Sequence, residues 1–187
     1  RRLSTMLTSL LEQSDMKIRD IDGIILSAGP GSFTGLRIGY SLAKGLAHAM
    51  ELPIMEVPTL DIWAYQLGQT DLPVVSIMDA HRHEIYAAAY RWENHQLKTR
   101  KDYQIFPLKD LPDFLEGRTL ITGSEIEKLR PAIDNICGDQ AVFARSGFRQ
   151  PEGWALLEMG YQKFTAKELS DPQNCEPLYI RAFKGVM

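Results

Sequence analysis

GPGSFTGLRIG, residues 29–39, decides how this chain is read, because glycines and a proline stand there between an apolar run and a helix-forming stretch. Residues 22–27, DGIILS, come just before it as a short, β-branched and nearly all-apolar segment. That is the pattern of a parallel strand covered on both faces. Gly29, Gly31 and Gly35 open backbone dihedrals closed to other residues, and Pro30 stiffens the turn they make. Ser32 or Thr34 then caps a helix that runs to about Met50. The free N–H groups at such a helix start attract anions, so Gly29, Gly31, Ser32 and Thr34 form a candidate anion-binding turn. The spacing fits neither G-x-x-x-x-G-K-[ST] nor G-x-G-x-x-G. The other reading is that the glycines only let helix and sheet approach closely.

Along that helix Gly35, Gly39, Ala43 and Ala47 recur every four residues, and Ser41, Gly45 and Ala49 make a second such row. A glycine inside a helix costs about 1 kcal/mol relative to alanine, so the rows call for close approach of another backbone. That backbone belongs either to this chain's own sheet and helices or to the helix of a partner protein. Residues 1–13 place Leu3, Met6, Leu7, Leu10 and Leu11 on one stripe of an amphipathic helix. Its opposite face carries Ser4, Thr5, Thr8 and Ser9 where Lys and Glu are usual. So little charge suits a surface covered by another protein, and a plain exposed Ser/Thr face is the alternative.

With 187 residues, 44% hydrophobic and 24% charged, the chain has the make-up of a globular protein of one large or two small domains. No apolar run approaches the roughly 20 residues needed to cross a bilayer, and the reading is of a cytoplasmic protein. Cys137 and Cys175 belong to no C-x-x-C pair, so neither a zinc site nor a disulfide framework is indicated. A formal net charge of −3 without a block of Lys or Arg opposes strong nucleic-acid binding by this chain alone; any RNA contact is expected to be shared.

From residue 71 the pattern gives strands at 73–79, 84–91 and near 103–106, a helix near 108–116, a strand at 119–122, a helix at 125–135, a strand at 141–144 and a helix at 154–167. This βββαβαβα order is a complete α/β half. The first 70 residues give αβαβα: helix 1–13, strand 22–27, helix 33–50, strand 53–57 and helix 60–67. That is the same half without its three leading strands, which predicts about 35 further residues ahead of Arg1. The expected division is 1–70, carrying the dimerisation helices, and 71–187. Two such α/β halves describe the actin-like ATPase architecture, in which nucleotide lies in the cleft between halves.

The stretch GPGSFTGLRIG, followed by AKGLA (43–47) and PTLDIWA (58–64), resembles the TsaB family, also called YeaZ. DAHRHEIYAAAY (79–90) is similar to that family's Asp-Ala-Arg-Arg-x-Glu-Val-Tyr hairpin, and EPLYIR (176–181) to its terminal Pro-x-Tyr-Leu-Arg. His81 stands for the usual Arg, Ile85 for Val and Ile180 for Leu. The resemblance implies a non-catalytic scaffold needed to make N6-threonylcarbamoyladenosine in tRNA. It implies pairing with a TsaD-like transferase through the helices at 1–13 and 33–50, docking of a TsaE-like ATPase on that pair, and a homodimer when alone. Contact with tRNA would come only through the complex, with no membrane involved. Leu3, Leu7, Leu10, Gly35, Gly39 and Ala43 are the contact positions expected on that basis. No catalytic residue, metal or cofactor is expected on the chain itself; a nucleotide at the complex interface is left open.

Two enzyme readings stand beside the scaffold. A metal-dependent glycoprotease-type peptidase needs ligands, and His81, His83 and Glu84 are the one cluster of suitable chemistry; no H-e-x-x-H arrangement supplies a third. An ATP-dependent phosphotransferase needs an acid in the cleft, for which Asp79 is the candidate. Its place at the start of a hairpin reads better as turn-stabilising, as do those of Arg82, Glu84 and Tyr86. Arg37 and Lys44 read as solvated or interfacial charges.

Overall fold

The computed structural model describes residues 2–144 and 150–180. The fold is mixed α/β, and its contacts divide it into two compact units. Unit 1 is Arg1–Val57 with Leu156–Leu178; unit 2 is Pro58–Ala155 with Tyr179–Met187. This grouping does not follow the sequence division at residue 70.

Unit 1 holds α1 (Arg2–Gln13), β1 (Ile24–Gly29), α2 (Phe33–Met50) and most of β2 (Ile54–Pro58), with β1 and β2 forming a two-stranded sheet. Ser32 starts α2: its hydroxyl accepts from the Gly35 N–H at 3.3 Å. Glu51, in the left-handed region at φ 55°, ends it by donating its N–H back to the Ala47 carbonyl. Tyr40, Ala43 and Ala47 are the buried face of α2, packed with Ile54 and Cys175 and flanked by Ile24 and Leu26. The later part of α6 (Gly153–Thr165) also belongs here. At Gly160 an added Cβ would lie 2.3 Å from the Ile25 side chain, so helix and strand meet there because no side chain intervenes.

Unit 2 contains a five-stranded sheet in the order β5-β4-β3-β6-β7, built from β3 (Val74–Asp79), β4 (Glu84–Glu93), β5 (Gln96–Pro107), β6 (Thr119–Gly123) and β7 (Ala141–Phe143). β3 pairs antiparallel with β4 and parallel with β6. Both faces are covered, which is why Val74 to Ile77 are buried without alternation. On one face Val75, Ile77, Ile85, Ala87 and Ile121 pack with Leu111 and Phe114 of α4 (Leu111–Phe114) and Ile133 of α5 (Ile126–Cys137). On the other, Leu60 and Ala64 of α3 (Thr59–Tyr65) pack with Val74, Ala88 and Tyr90.

Two expectations change. The helix at 60–67, read as closing the first half, is α3 and packs on β3 and β6 of unit 2. The strand near 103–106 is a 12-residue edge strand, and the helix expected at 108–116 is a 3-10 turn followed by one turn of α-helix. That single turn suffices because Leu111, Phe114 and Leu115 are already buried against the sheet.

Candidate functional site

The glycine turn is built as a sharp reversal. Gly29 is buried at φ 102°, the Gly29–Pro30 peptide is cis, and Ala28 accepts from the Leu178 N–H at 2.8 Å. A Cβ at Gly29 would come within 3.0 Å of Leu36, so this glycine is required by backbone and by space together. Gly31 needs neither, since a Cβ there meets only Leu36 at 3.8 Å. Gly31, Ser32, Thr34 and Gly35 are exposed, and the Gly35 N–H is already taken by the Ser32 cap.

The two small-residue rows of α2 part company. Rows spaced by four are inclined to the helix axis, so each winds around it. The first row starts exposed at Gly35, is half-buried at Gly39 and ends in the core at Ala43 (4% exposed) and Ala47. Ala43 is therefore not a surface contact position. A Cβ at Gly39 would meet Leu26 at 3.6 Å, an ordinary contact. The second row, Ser41, Gly45 and Ala49, is exposed throughout, and an added Cβ at Gly45 meets nothing within 4 Å. Beside it Ile38 is 52% exposed, and Arg37 lies 4.2 Å over the Phe33 ring. Phe33, Thr34, Arg37, Ile38 and Ser41 line a shallow depression on this side.

On α1 the apolar stripe itself is uncovered. Leu3, Met6 and Leu10 are exposed, Met6 to 66%, and Leu7 is half-buried. The stripe outweighs the Ser/Thr face as the feature to explain, because large apolar side chains left in water mark a surface that something covers.

The hairpin at 79–84 is a turn built from charge. Asp79 accepts from the His81 N–H at 2.7 Å and pairs with Lys128 Nζ at 3.3 Å. The His81 N–H first, and then the Lys128 ammonium, hold its carboxyl below the ordinary carboxylate range against the burial that raises it. His81, Arg82 and His83 all sit in the left-handed region, at φ 63°, 56° and 64°, and all are exposed. Among the described residues no group of three or more His, Cys, Asp or Glu is placed to hold a metal ion.

Two features escaped the sequence reading. Asp61, in the PTLDIWA stretch, accepts from the Tyr90 hydroxyl at 2.7 Å and from the Tyr103 hydroxyl at 2.9 Å. Burial, and then the Asp61 charge, push both phenols well above their usual value. Lys44 is not a free charge: its ammonium donates to the carbonyls of Gln173 at 2.9 Å and Cys175 at 3.2 Å, tying α2 to the 171–178 segment of the same unit. Arg181, which ends the EPLYIR stretch, lies outside the described residues. No helix is long and apolar enough to cross a membrane among the described residues.

Comparison with known proteins adds the family. A family model described as "TsaD: tRNA N6-adenosine threonylcarbamoyltransferase" matches residues 1–138. The chain is 30% identical over 176 residues to the Bacillus subtilis tRNA threonylcarbamoyladenosine biosynthesis protein TsaB, covering 92% of this chain and 75% of that protein. It is 30% identical over 173 residues to TsaB of Haemophilus influenzae, covering 91% and 63%. Among solved structures, an uncharacterized Pseudomonas aeruginosa protein with similarity to peptidase YeaZ superposes with a TM-score of 0.77 at 22% identity, covering 96% of this chain and 83% of that one.

Proposed function

We propose that this chain, which belongs to the TsaB family, serves N6-threonylcarbamoyladenosine formation in tRNA as a subunit that is docked upon, and that the bond-making residues lie in its partner. The observation that carries this is the outward side of α2 and α1. Ser41, Gly45 and Ala49 present a small, open row beside exposed Ile38, and α1 adds exposed Leu3, Met6 and Leu10. Glycine in such a place weakens the helix and meets no close neighbour among the described residues, which makes sense where another helix is to come close.

The partner in this reading is a TsaD-like transferase, with a TsaE-like ATPase docking on the pair, a second copy of the chain taking the same face when the transferase is absent, and tRNA held by the assembly. Leu3, Leu7, Leu10, Gly35 and Gly39 stay on the proposed contact face, joined by Ile38, Ser41 and Gly45. The chain holds no metal or cofactor of its own, and a nucleotide belongs to the complex. We take the chain as a relative of the actin-like ATPases; the sheet order β5-β4-β3-β6-β7 of unit 2, with its leading antiparallel strands, supports that half. Against a phosphotransferase stands the engagement of Asp79 with its own turn and with Lys128.

The test is reconstitution from purified parts. With transferase, ATPase, threonylcarbamoyl-adenylate and unmodified tRNA, the modified nucleoside is expected only when this chain is added. Equal synthesis without it, or synthesis by this chain alone, contradicts the proposal.

A further inference from the structure

The β4–β5 hairpin carries an arrangement that the docking surface does not explain. Arg91 and Lys98 face each other directly across the two strands. Like charges so placed destabilise a sheet, because their Cβ atoms stand about 5 Å apart. Both side chains are exposed, and neither makes a hydrogen bond or ion pair among the described residues. The other cations nearby are accounted for. Arg100 of β5 pairs with Glu93 of β4. Lys101 donates to the Phe114 carbonyl at 2.7 Å and lies 3.9 Å from Glu116.

The hairpin that displays this pair is anchored at its turn. Asn94 and His95, both at positive φ, form its two-residue turn, and the His95 ring bonds the Gln69 side chain at 2.9 Å. A local choice that costs stability points to a compensating ligand, and two neighbouring cations without partners among the described residues point to an anionic one.

We infer that Arg91 and Lys98 form a phosphate-backbone contact for RNA. The choice of RNA over an acidic protein rests on the tRNA function proposed above. It also agrees with the net charge of −3, since two cations give the chain alone only a weak contact, seen at low salt, that a larger assembly would share.

The test titrates the full chain with an unmodified tRNA transcript at low salt and follows backbone amide shifts, in wild type and in Arg91→Glu. Shifts are expected at Arg91 and Lys98. Arg91→Glu is expected to bind at least about tenfold more weakly at about 50 mM salt. The same substitution turns a repulsive pair into an attractive one, so its thermal midpoint should rise by about 2 °C. Lower affinity in a more stable protein separates a lost contact from a damaged fold. Unchanged affinity in Arg91→Glu, shifts confined to other surfaces, or a hairpin that responds to polyglutamate and not to the transcript would each overturn the inference. The reconstitution above fails independently, since it reads whether the chain is needed and not where RNA touches it.

Discussion

Gly160 on α6 and Gly45 on α2 are both glycines inside helices of unit 1, and they are there for opposite reasons. A Cβ at Gly160 would strike Ile25 at 2.3 Å; at Gly45 it would meet nothing within 4 Å. The first glycine is explained by the chain's own packing. The second has no neighbour among the described residues to justify its helix penalty, and the docked helix proposed above would supply one. Close approach inside the chain, offered by the sequence as one explanation of the small rows on α2, holds for buried Ala43 and Ala47; Ser41, Gly45 and Ala49 are exposed among the described residues.

The comparison can be broken by substitution, and the largest effect belongs to its inward side. Gly160→Ala should destabilise by about 2 kcal/mol, because β-branched Ile25 has few rotamers with which to move away. Denaturant unfolding checks it, and a stability equal to wild type would mean that α6 and β1 do not meet as described. Next comes Asp61→Asn, which exchanges charge-assisted hydrogen bonds from Tyr90 and Tyr103 for neutral ones and should cost about 1 kcal/mol at neutral pH.

The same two phenols give the molecule an alkaline limit. Their folded pKa values are raised, so the stability tied to keeping them protonated is whole below the unfolded value of about 10 and is lost as pH climbs above it. Unfolding followed by tyrosinate absorbance should show these two ionising only as the fold is lost; their ionisation in the folded protein would refute the burial of the Asp61 cluster. The smallest effect is Gly45→Ala, expected to raise stability by up to about 1 kcal/mol, the opposite sign to Gly160→Ala. A loss of stability there would show that the outward side of α2 already has an intramolecular neighbour.

Much of the fold was legible in the sequence, for identifiable reasons. The helix at Phe33–Met50 agrees with its expected bounds because the Ser32 cap marks its start and the residues between hold one small-residue periodicity to the end. β5 was underestimated because Lys98, Arg100, Lys101 and Asp102 break the apolar alternation by which a strand is recognised, and an edge strand tolerates that charge. The site was harder to read. Spacing by four put Ala43 in line with Gly35, but the row turns about the helix and carries it into the core. Lys44 looked like a free charge because its carbonyl partners lie 129 and 131 residues away. Asp61 gave no signal because Tyr90 and Tyr103 reach it only once β4 and β5 are formed.

The central claim is most directly tested by the affinity of Gly45→Arg for the TsaD-like transferase proposed as partner, measured beside wild type with the thermal midpoint of each. The account predicts pairing weakened by about a hundredfold or more, with a midpoint within about 3 °C of wild type because the new side chain enters open space. Wild-type affinity in a folded Gly45→Arg protein would contradict it.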